Sequence, residues 1–295
     1  MIHFKRASEI PLNVLVDTWN KGFEGYYVNL NMTLSSMVSK CATEDIVLDA
    51  SIIMYDDDVP IGFTLNGIRE MNKQMIAWNG GTGIAPEYRG RGLGKPLLEE
   101  SIKVYKELGV TFATLEAFLQ NTPAIKLYKS CGYKTVDHLM YLVRKDESVS
   151  VPFSSEASLD LYDYKIGAPI DVHSLPFYNG STPWQTQWQT LKSAQSLILL
   201  ADGVEVGYAL FKRAYNKDGE LTAITLFQCE VAPDRNDRAD IYLAILSHVY
   251  SGAPNKTAFH LSKSSKQELI DLLLSHQFVT QSEFVYMTLP LGDQK

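Results

Sequence analysis

This chain carries nearly the same pattern twice. "DVPIGFTL" at 58–65 returns as "GVEVGYAL" at 203–210, an offset of 145. "IAP" at 84–86 returns as "VAP" at 231–233, an offset of 147. "YKSCGYKTVDHLMYLV" at 128–143 returns as "LLSHQFVTQSEFVYMT" at 273–288, again at 145. A nearly constant spacing across three separate stretches marks a duplicated folding unit. The 295 residues are therefore expected to form two domains of one architecture, 1–146 and 159–295, joined by a linker at 147–158. The linker reading rests on "KDESVSVPFSSEASLD" at 145–160, which is rich in Ser and charge, contains Pro152 and has no apolar period.

Within the first copy, apolar periodicity gives a strand at 2–7 and helices near 11–22 and 31–42. Strands near 46–55, 60–70 and 74–85 follow, then a helix at 95–108, a strand at 111–117, a helix at 122–131 and two closing strands to about 144. The fold class is mixed α/β, antiparallel early and βαβ-like later.

Charge separates the halves. The formal net charge of −7 divides as −2 over 1–150 and −5 over 151–295, so an anionic ligand should prefer the first half. An acidic chain is a poor partner for nucleic acid, which is bound by neutralising phosphates. No apolar run approaches the length of a membrane span, and the first residues, "MIHFKRASEIPLN", carry no apolar signal region. Cys41, Cys131 and Cys229 are too scattered for a disulfide framework or a zinc site, so a cytoplasmic protein without a metal is expected.

The functional signal is "TGIAPEYRGRGLGKPLLEE" at 82–100. Gly80, Gly81 and Gly83 loosen a strand end, which points to a bulge or to a place where a ligand lies against the backbone. Pro86 ends the ladder, and a helix starts around Leu93–Lys95 with Pro96 in its first turn. Leu97, Leu98, Ile102, Tyr105 and Leu108 form its buried stripe, Glu99 pairs with Lys103, and Gly109 stops it. A helix N-terminus presents unpaired N–H groups to an anion. Gly90, Gly92 and Gly94 remove side chains that would hold a phosphate away, while Arg89, Arg91 and Lys95 add positive charge. The turn reads as a diphosphate cradle. It is not a Walker A loop, because Pro96 stands where the magnesium-binding hydroxyl belongs. Nor is it a Rossmann fingerprint, because the spacing is G-x-G-x-G and a proline intervenes.

Downstream, "LEAFLQNTPAIKLYKSCGY" at 115–133 reads as strand, loop and helix, with Asn121 or Thr122 as cap and Pro123 in the first turn. Asn121, Ala124 and Tyr128 share one helical face. Together the two stretches resemble the GNAT superfamily of acyl-CoA-dependent N-acetyltransferases. The motif R/Q-x-x-G-x-G/A is met by Arg89, Gly92 and Gly94, preceded by "IAPEYRG" with Ile84, Pro86 and Tyr88. The motif N-x-x-A-x-x-L-Y-x-x-x-G-F/Y is met by Asn121, Ala124, Leu127, Tyr128, Gly132 and Tyr133. The likeness covers about 1–145 well and the second half only in strand order, so it implies tandem GNAT folds, each a mixed, mostly antiparallel twisted sheet flanked by helices.

That resemblance implies acetyl-CoA as co-substrate. Its pyrophosphate is expected on the N–H groups of Arg89, Gly90, Arg91, Gly92, Leu93, Gly94 and Lys95. Its pantetheine arm is expected along Thr82, Gly83 and Ile84, anchored by Asn121, with one strand N–H polarising the thioester carbonyl. Tyr128 holds the position of the acid that protonates the departing thiolate. A neutral amine attacks, and the base is open between Glu24, at the end of the first helix, and Glu116, on the strand beside the groove. Many relatives place a carboxylate on the strand before the turn, where this chain has Trp78 and Asn79. The aromatic-rich "WNKGFEGYYVNL" at 19–30 is a candidate cap of the acceptor pocket, and Trp184 and Trp188 are expected on one helix face. The second copy, with "NDRADI" at 236–241 read opposite "RGRGLG", has lost the cradle. The expected acceptor is a primary amine of a small molecule or peptide, such as a polyamine or an aminoglycoside-like compound. A non-catalytic acyl-CoA binder and a protein lysine acetyltransferase are the alternatives.

Overall fold

The computed structural model describes residues 1–71, 73–145, 153 and 161–292. The expected linker at 147–158 lies outside the described residues apart from Phe153. The chain divides into two compact units, Met1–Val136 with Val285–Lys295, and Asp137–Phe284.

Unit 1 opens with β1 (Ile2–Arg6), α1 (Leu12–Gly22) and α2 (Leu34–Thr43). Next come β2 (Ile52–Asp56), β3 (Val59–Met71), β4 (Gln74–Ile84), α3 (Gly94–Glu107), β5 (Val110–Phe118) and α4 (Thr122–Ser130). The sheet runs β1-β2-β3-β4-β5, antiparallel until β4 meets β5 in parallel. The expected strand at 46–55 is shorter, because Leu48–Ala50 turn as a 3-10 helix before β2. One face of the sheet packs on α3 and α4 through Ala77, Leu98, Tyr105, Ala113, Leu115 and Tyr128. Tyr105 also donates its hydroxyl proton to Asn66 at 2.7 Å, and Ser101 meets Thr64 at 2.5 Å, which fixes α3 against β3. Leu108, expected in the buried stripe, is 40% exposed because it is the C-cap of α3 and Gly109 turns the chain with φ 68°. Glu99 does not pair with Lys103; Lys95 approaches Glu99 at 3.8 Å and Lys103 bonds Glu100 at 2.7 Å.

Unit 2 contains β7 (Asp163–Gly167), β8 (Gln195–Ala201), β9 (Val204–Tyr215), β10 (Leu221–Val231), α5 (Arg238–Val249), β11 (Asn255–Ser262) and α6 (Gln267–Ser275). Its core is built from α5, α6 and the strands beneath them, with Ile241, Ile245, Leu269, Leu273 and Phe278 buried. Trp184 and Trp188 do not share an α-helix: only Trp184–Thr186 form a 3-10 turn, entered through Pro183.

The duplication is visible in backbone geometry. Asp57 and Asp202, at the same hairpin position, both have φ 49°. Gly62 and Gly207 are equivalent too: an ideal Cβ on either would lie 3.0 Å from a carbonyl oxygen of the next strand, of Gly83 and Glu230 respectively. The closing strands are shared out differently from a simple cut. A single strand, β6 (Lys134–Lys145), replaces the two expected, and from Asp137 onward it belongs to unit 2, pairing antiparallel with β11. The end of β12 (Val279–Pro290) lies beside β5 in unit 1, with Leu291 and Gly292 donating to the Thr111 carbonyl at 2.9 and 3.2 Å.

Candidate active site

The site begins where two strands part. β4 and β5 pair from Met75/Val110 to Trp78/Thr114, and beyond that β4 stays registered only with β3. A bulge between Asn79 and Gly81 leaves Gly80 unpaired and bends β4 away. Ala85 donates its N–H to Ile61 at 2.8 Å, so by strand alternation the N–H groups of Thr82 and Ile84 face the open edge. The strand glycines have a task the sequence did not disclose. An ideal Cβ would lie 2.4 Å from the Trp78 ring at Gly80, 2.7 Å from Trp19 at Gly81 and 2.5 Å from Phe63 at Gly83. They are glycine because aromatic rings of the protein itself press on that strand.

After β4, Pro86–Tyr88 make a 3-10 turn and the chain reaches Gly90 and Gly92 at φ 73° and 77°. Nothing lies within 4 Å of an ideal Cβ on either, so these two remain glycine for backbone conformation and open onto solvent. Gly94 serves packing instead, with Leu127 of α4 only 2.6 Å from its ideal Cβ. The N-cap of α3 is Leu93, which supplies no side-chain acceptor, and Pro96 has no N–H, so the first-turn N–H groups await an external anion. Arg91 and Lys95 are exposed there, Arg91 with its guanidinium 5.1 Å from the Tyr88 ring centre. Arg89 differs from the expectation that it adds free charge. Its guanidinium donates to the carbonyls of Ile84, Gly22 and Glu24 at 2.8, 3.0 and 2.8 Å, tying the turn to the end of α1.

At the other side of the divergence, Asn121 is the N-cap of α4, accepting from the Ala124 N–H at 3.3 Å and donating to the Tyr26 hydroxyl at 3.4 Å. Ala124 and Tyr128 follow on its face. The buried Tyr128 hydroxyl is pushed up to about 12 by desolvation, against the opposing hydrogen bond with Thr82. Thr82 in turn exchanges hydrogen bonds with the Asn79 amide at 2.9 and 3.0 Å. Tyr128 is thus fastened to the strand whose N–H groups line the gap.

The two carboxylate candidates separate sharply. Glu24 is exposed and bonded to Lys21 at 2.9 Å, and that bond holds its carboxyl below the usual range. Glu116 accepts the Trp78 indole N–H on Oε2 at 2.7 Å, while its solvent-shielded Oε1 has no partner. Desolvation pushes it up to about 7, outweighing the indole bond. A carboxyl that titrates near neutrality and keeps one oxygen unpaired suits proton transfer; a surface carboxylate held by lysine does not. Sequence spacing, which offers Glu24 first, does not carry the distinction, because it lies in Trp78, 38 residues from Glu116. Asp17 and residues of the 19–30 stretch, among them Asn20, Phe23, Glu24, Tyr26 and Leu30, line an open cavity of about 640 Å³ to which Trp78, Glu116 and Tyr128 do not contribute.

The two units thus define a class: paired mixed sheets in which one copy has a split strand pair leading to an uncapped helix. Solved structures share the fold, among them a tandem GNAT protein from the clavulanic acid biosynthesis pathway, covering 100% of both chains at TM-score 0.65 and 12% identity. Residues 20–133 match the model of the acetyltransferase (GNAT) family, and that part of the chain is a GNAT domain. A mycothiol acetyltransferase of Pseudarthrobacter chlorophenolicus is 42% identical over 55 residues, 19% of this chain. The chain spans only 17% of that relative's length. A peptidyl-lysine N-acetyltransferase of Salmonella typhimurium is 25% identical over 136 residues, covering 45% of this chain and 84% of that one.

Proposed function

We propose that unit 1 is an acetyl-CoA-dependent N-acetyltransferase acting on a primary amine of a small molecule or peptide. The observation that carries this reading is continuity: the gap between β4 and β5 leads past Thr82 and Tyr128 into the glycine turn and the uncapped start of α3. The N–H groups at 90–95 would hold the pyrophosphate, Thr82 and Ile84 the pantetheine and thioester carbonyl, and Asn121 the arm's amide. Acetyl-CoA supplies an activated acyl group.

In this reading Glu116 takes a proton from the acceptor ammonium. The freed nitrogen forms the C–N bond as the C–S bond breaks, and a strand N–H steadies the oxyanion. Burial keeps Tyr128 protonated at neutral pH, so it donates to the sulfur as negative charge builds. Three free thiols among the described residues fit the reducing cytoplasm, where we place the reaction. The Salmonella relative's name supports a peptidyl lysine as a second acceptor class.

Calorimetry with acetyl-CoA and thiol release with a panel of amines test the proposal. Tyr128→Phe should cut turnover about a hundredfold while acetyl-CoA affinity stays within about twofold. Unchanged turnover removes Tyr128 as donor. Tight binding with no release by any amine or peptide makes unit 1 a binding module instead.

A further inference from the structure

One amine in unit 1 is placed unlike the others. Lys40 on α2 keeps its side chain only 12% exposed. Its ammonium lies 5.3 Å from the Trp78 ring centre and 5.7 Å from that of Trp19, and it is ion-paired with Glu44. A lysine that merely packs its stem sends its ammonium out to water. Two indole faces with a carboxylate are what binds an alkylammonium. Trp78 also holds Glu116 at 2.7 Å, so a single ring connects the caged ammonium with the base. Lys40 and Glu44 both act on the charge of Glu116, in opposite senses. Trp78 is the last β4 residue paired with β5, which puts the cage at the closed end of the gap.

We infer that Lys40 occupies the acceptor's seat and is an intramolecular acetyl acceptor of unit 1. The inference rests on the acetyltransferase reading above. The Lys40 ammonium gives a proton to Glu116, its Nζ lone pair forms a bond to the acetyl carbon, the C–S bond breaks, and the sulfur leaves as the protonated thiol. One acetyl-CoA is consumed, and one neutral acetyl-lysine is made. The amide has no charge to hold between the indoles or against Glu44, so acetylation empties the seat for an external alkylammonium.

The test is peptide mass spectrometry of the full chain after incubation with acetyl-CoA alone. Uncatalysed acetylation favours exposed amines such as Lys95 and Lys103, whose side chains are 56% and 68% exposed. Self-acetylation instead puts one acetyl group on Lys40 first, at a rate independent of protein concentration, and slows on the order of a hundredfold in Glu116→Gln. Lys40→Ala should accept n-butylamine, which reproduces the lysine side chain, on the order of tenfold better than wild type. An unmodified Lys40, or one acetylated no faster than Lys95, overturns the inference while thiol release with external amines leaves the functional reading standing. A wild-type chain that binds no acetyl-CoA overturns both.

Discussion

The two copies differ most where a strand hands over to a helix. In unit 1, residues 85–93 join β4 to α3, with two left-handed glycines and no capping side chain. In unit 2, residues 232–237 join β10 to α5, three fewer, and the one left-handed residue is Asp234 at φ 66°. Matching the helix starts makes the counterpart of "RGRGLG" the stretch "PDRNDR", not the "NDRADI" read from the sequence. Unit 2's helix opens on acid: Asp237 is its N-cap and Asp240 lies in the first turn. Arg235 is committed to Asp237 at 2.7 Å, and the Tyr162 hydroxyl donates to it at 2.9 Å. A helix start that attracts an anion in one copy meets the chain's own carboxylates in the other. An offset of 145 sets Leu261 and Leu273 opposite Glu116 and Tyr128. The same offset sets Lys266 opposite Asn121, and Lys266 forms an ion pair with Glu230 on β10. Both copies keep the scaffold that the core needs, while the residues proposed for the chemistry stand in unit 1.

The largest expected effect is at Glu116. Glu116→Gln should lower turnover about 10²–10⁴-fold without changing acetyl-CoA affinity. Wild-type activity should rise as pH passes through about 7, where Glu116 ionises, and that limb should vanish in the variant. Stability moves the opposite way. The folded pKa lies above the unfolded one, so this group's contribution is full below the unfolded value and lost as pH rises through about 7. Glu116→Gln should therefore melt higher than wild type at pH 8. A variant with full turnover and an intact limb would return the base to some other group.

The second effect is confined to unit 2. Lys266→Ala removes the ion-pair partner of the buried Glu230, leaving the Asn179 amide at 3.0 Å as its hydrogen-bond donor among the described residues and Arg238 as a more distant charge, and should cost about 3–5 kcal/mol of stability. Chemical denaturation reads the loss, and acetyl-CoA affinity measured below the transition should not move. If that affinity falls with Lys266, unit 2 holds part of the coenzyme and the division of labour is wrong.

Sequence spacing resolved what lies along one element and missed what lies across elements. Gly90, Gly92, Asn121 and Tyr128 were legible because a turn and a helical face are local patterns. The environment of Glu116 was not, because it depends on Trp78 from the neighbouring strand and Lys40 from α2. The partner choice of β6 and β12 was hidden for another reason. The two strands repeat one apolar pattern at an offset of 145, so either suits either sheet edge and periodicity cannot assign them. The bulge expected at the strand glycines is present at Gly80, but the rings that press on Gly80, Gly81 and Gly83 were not legible, since Trp78, Trp19 and Phe63 come from β4 itself, α1 and β3.

Gly92→Val is expected to be weaker than either effect on catalysis or folding. A β-branched residue at φ 77° is strained by roughly 1–3 kcal/mol, and its methyl groups enter the open face of the turn. Acetyl-CoA affinity should fall on the order of ten- to a hundredfold, while turnover at saturation stays close to wild type. Asn236→Val in the shortened turn of unit 2 should leave that affinity unchanged; a matching loss there would mean both helix starts bind the coenzyme.

The smallest effect isolates charge from shape. Arg91 is exposed with its guanidinium over the Tyr88 ring, so Arg91→Ala keeps the turn and removes one cation. An exposed charge interaction is worth at most about 1 kcal/mol, so acetyl-CoA affinity should drop no more than about fivefold. The drop should shrink as salt rises, because the Debye length falls from about 10 Å at 0.1 M to about 3 Å at 1 M. Glycine turn and helix N-terminus act at contact distance and resist that screening. A loss in Arg91→Ala as deep as that in Gly92→Val, and as salt-resistant, would mean the guanidinium grips the phosphates directly, and that unit 2 lost function through its charges before its glycines.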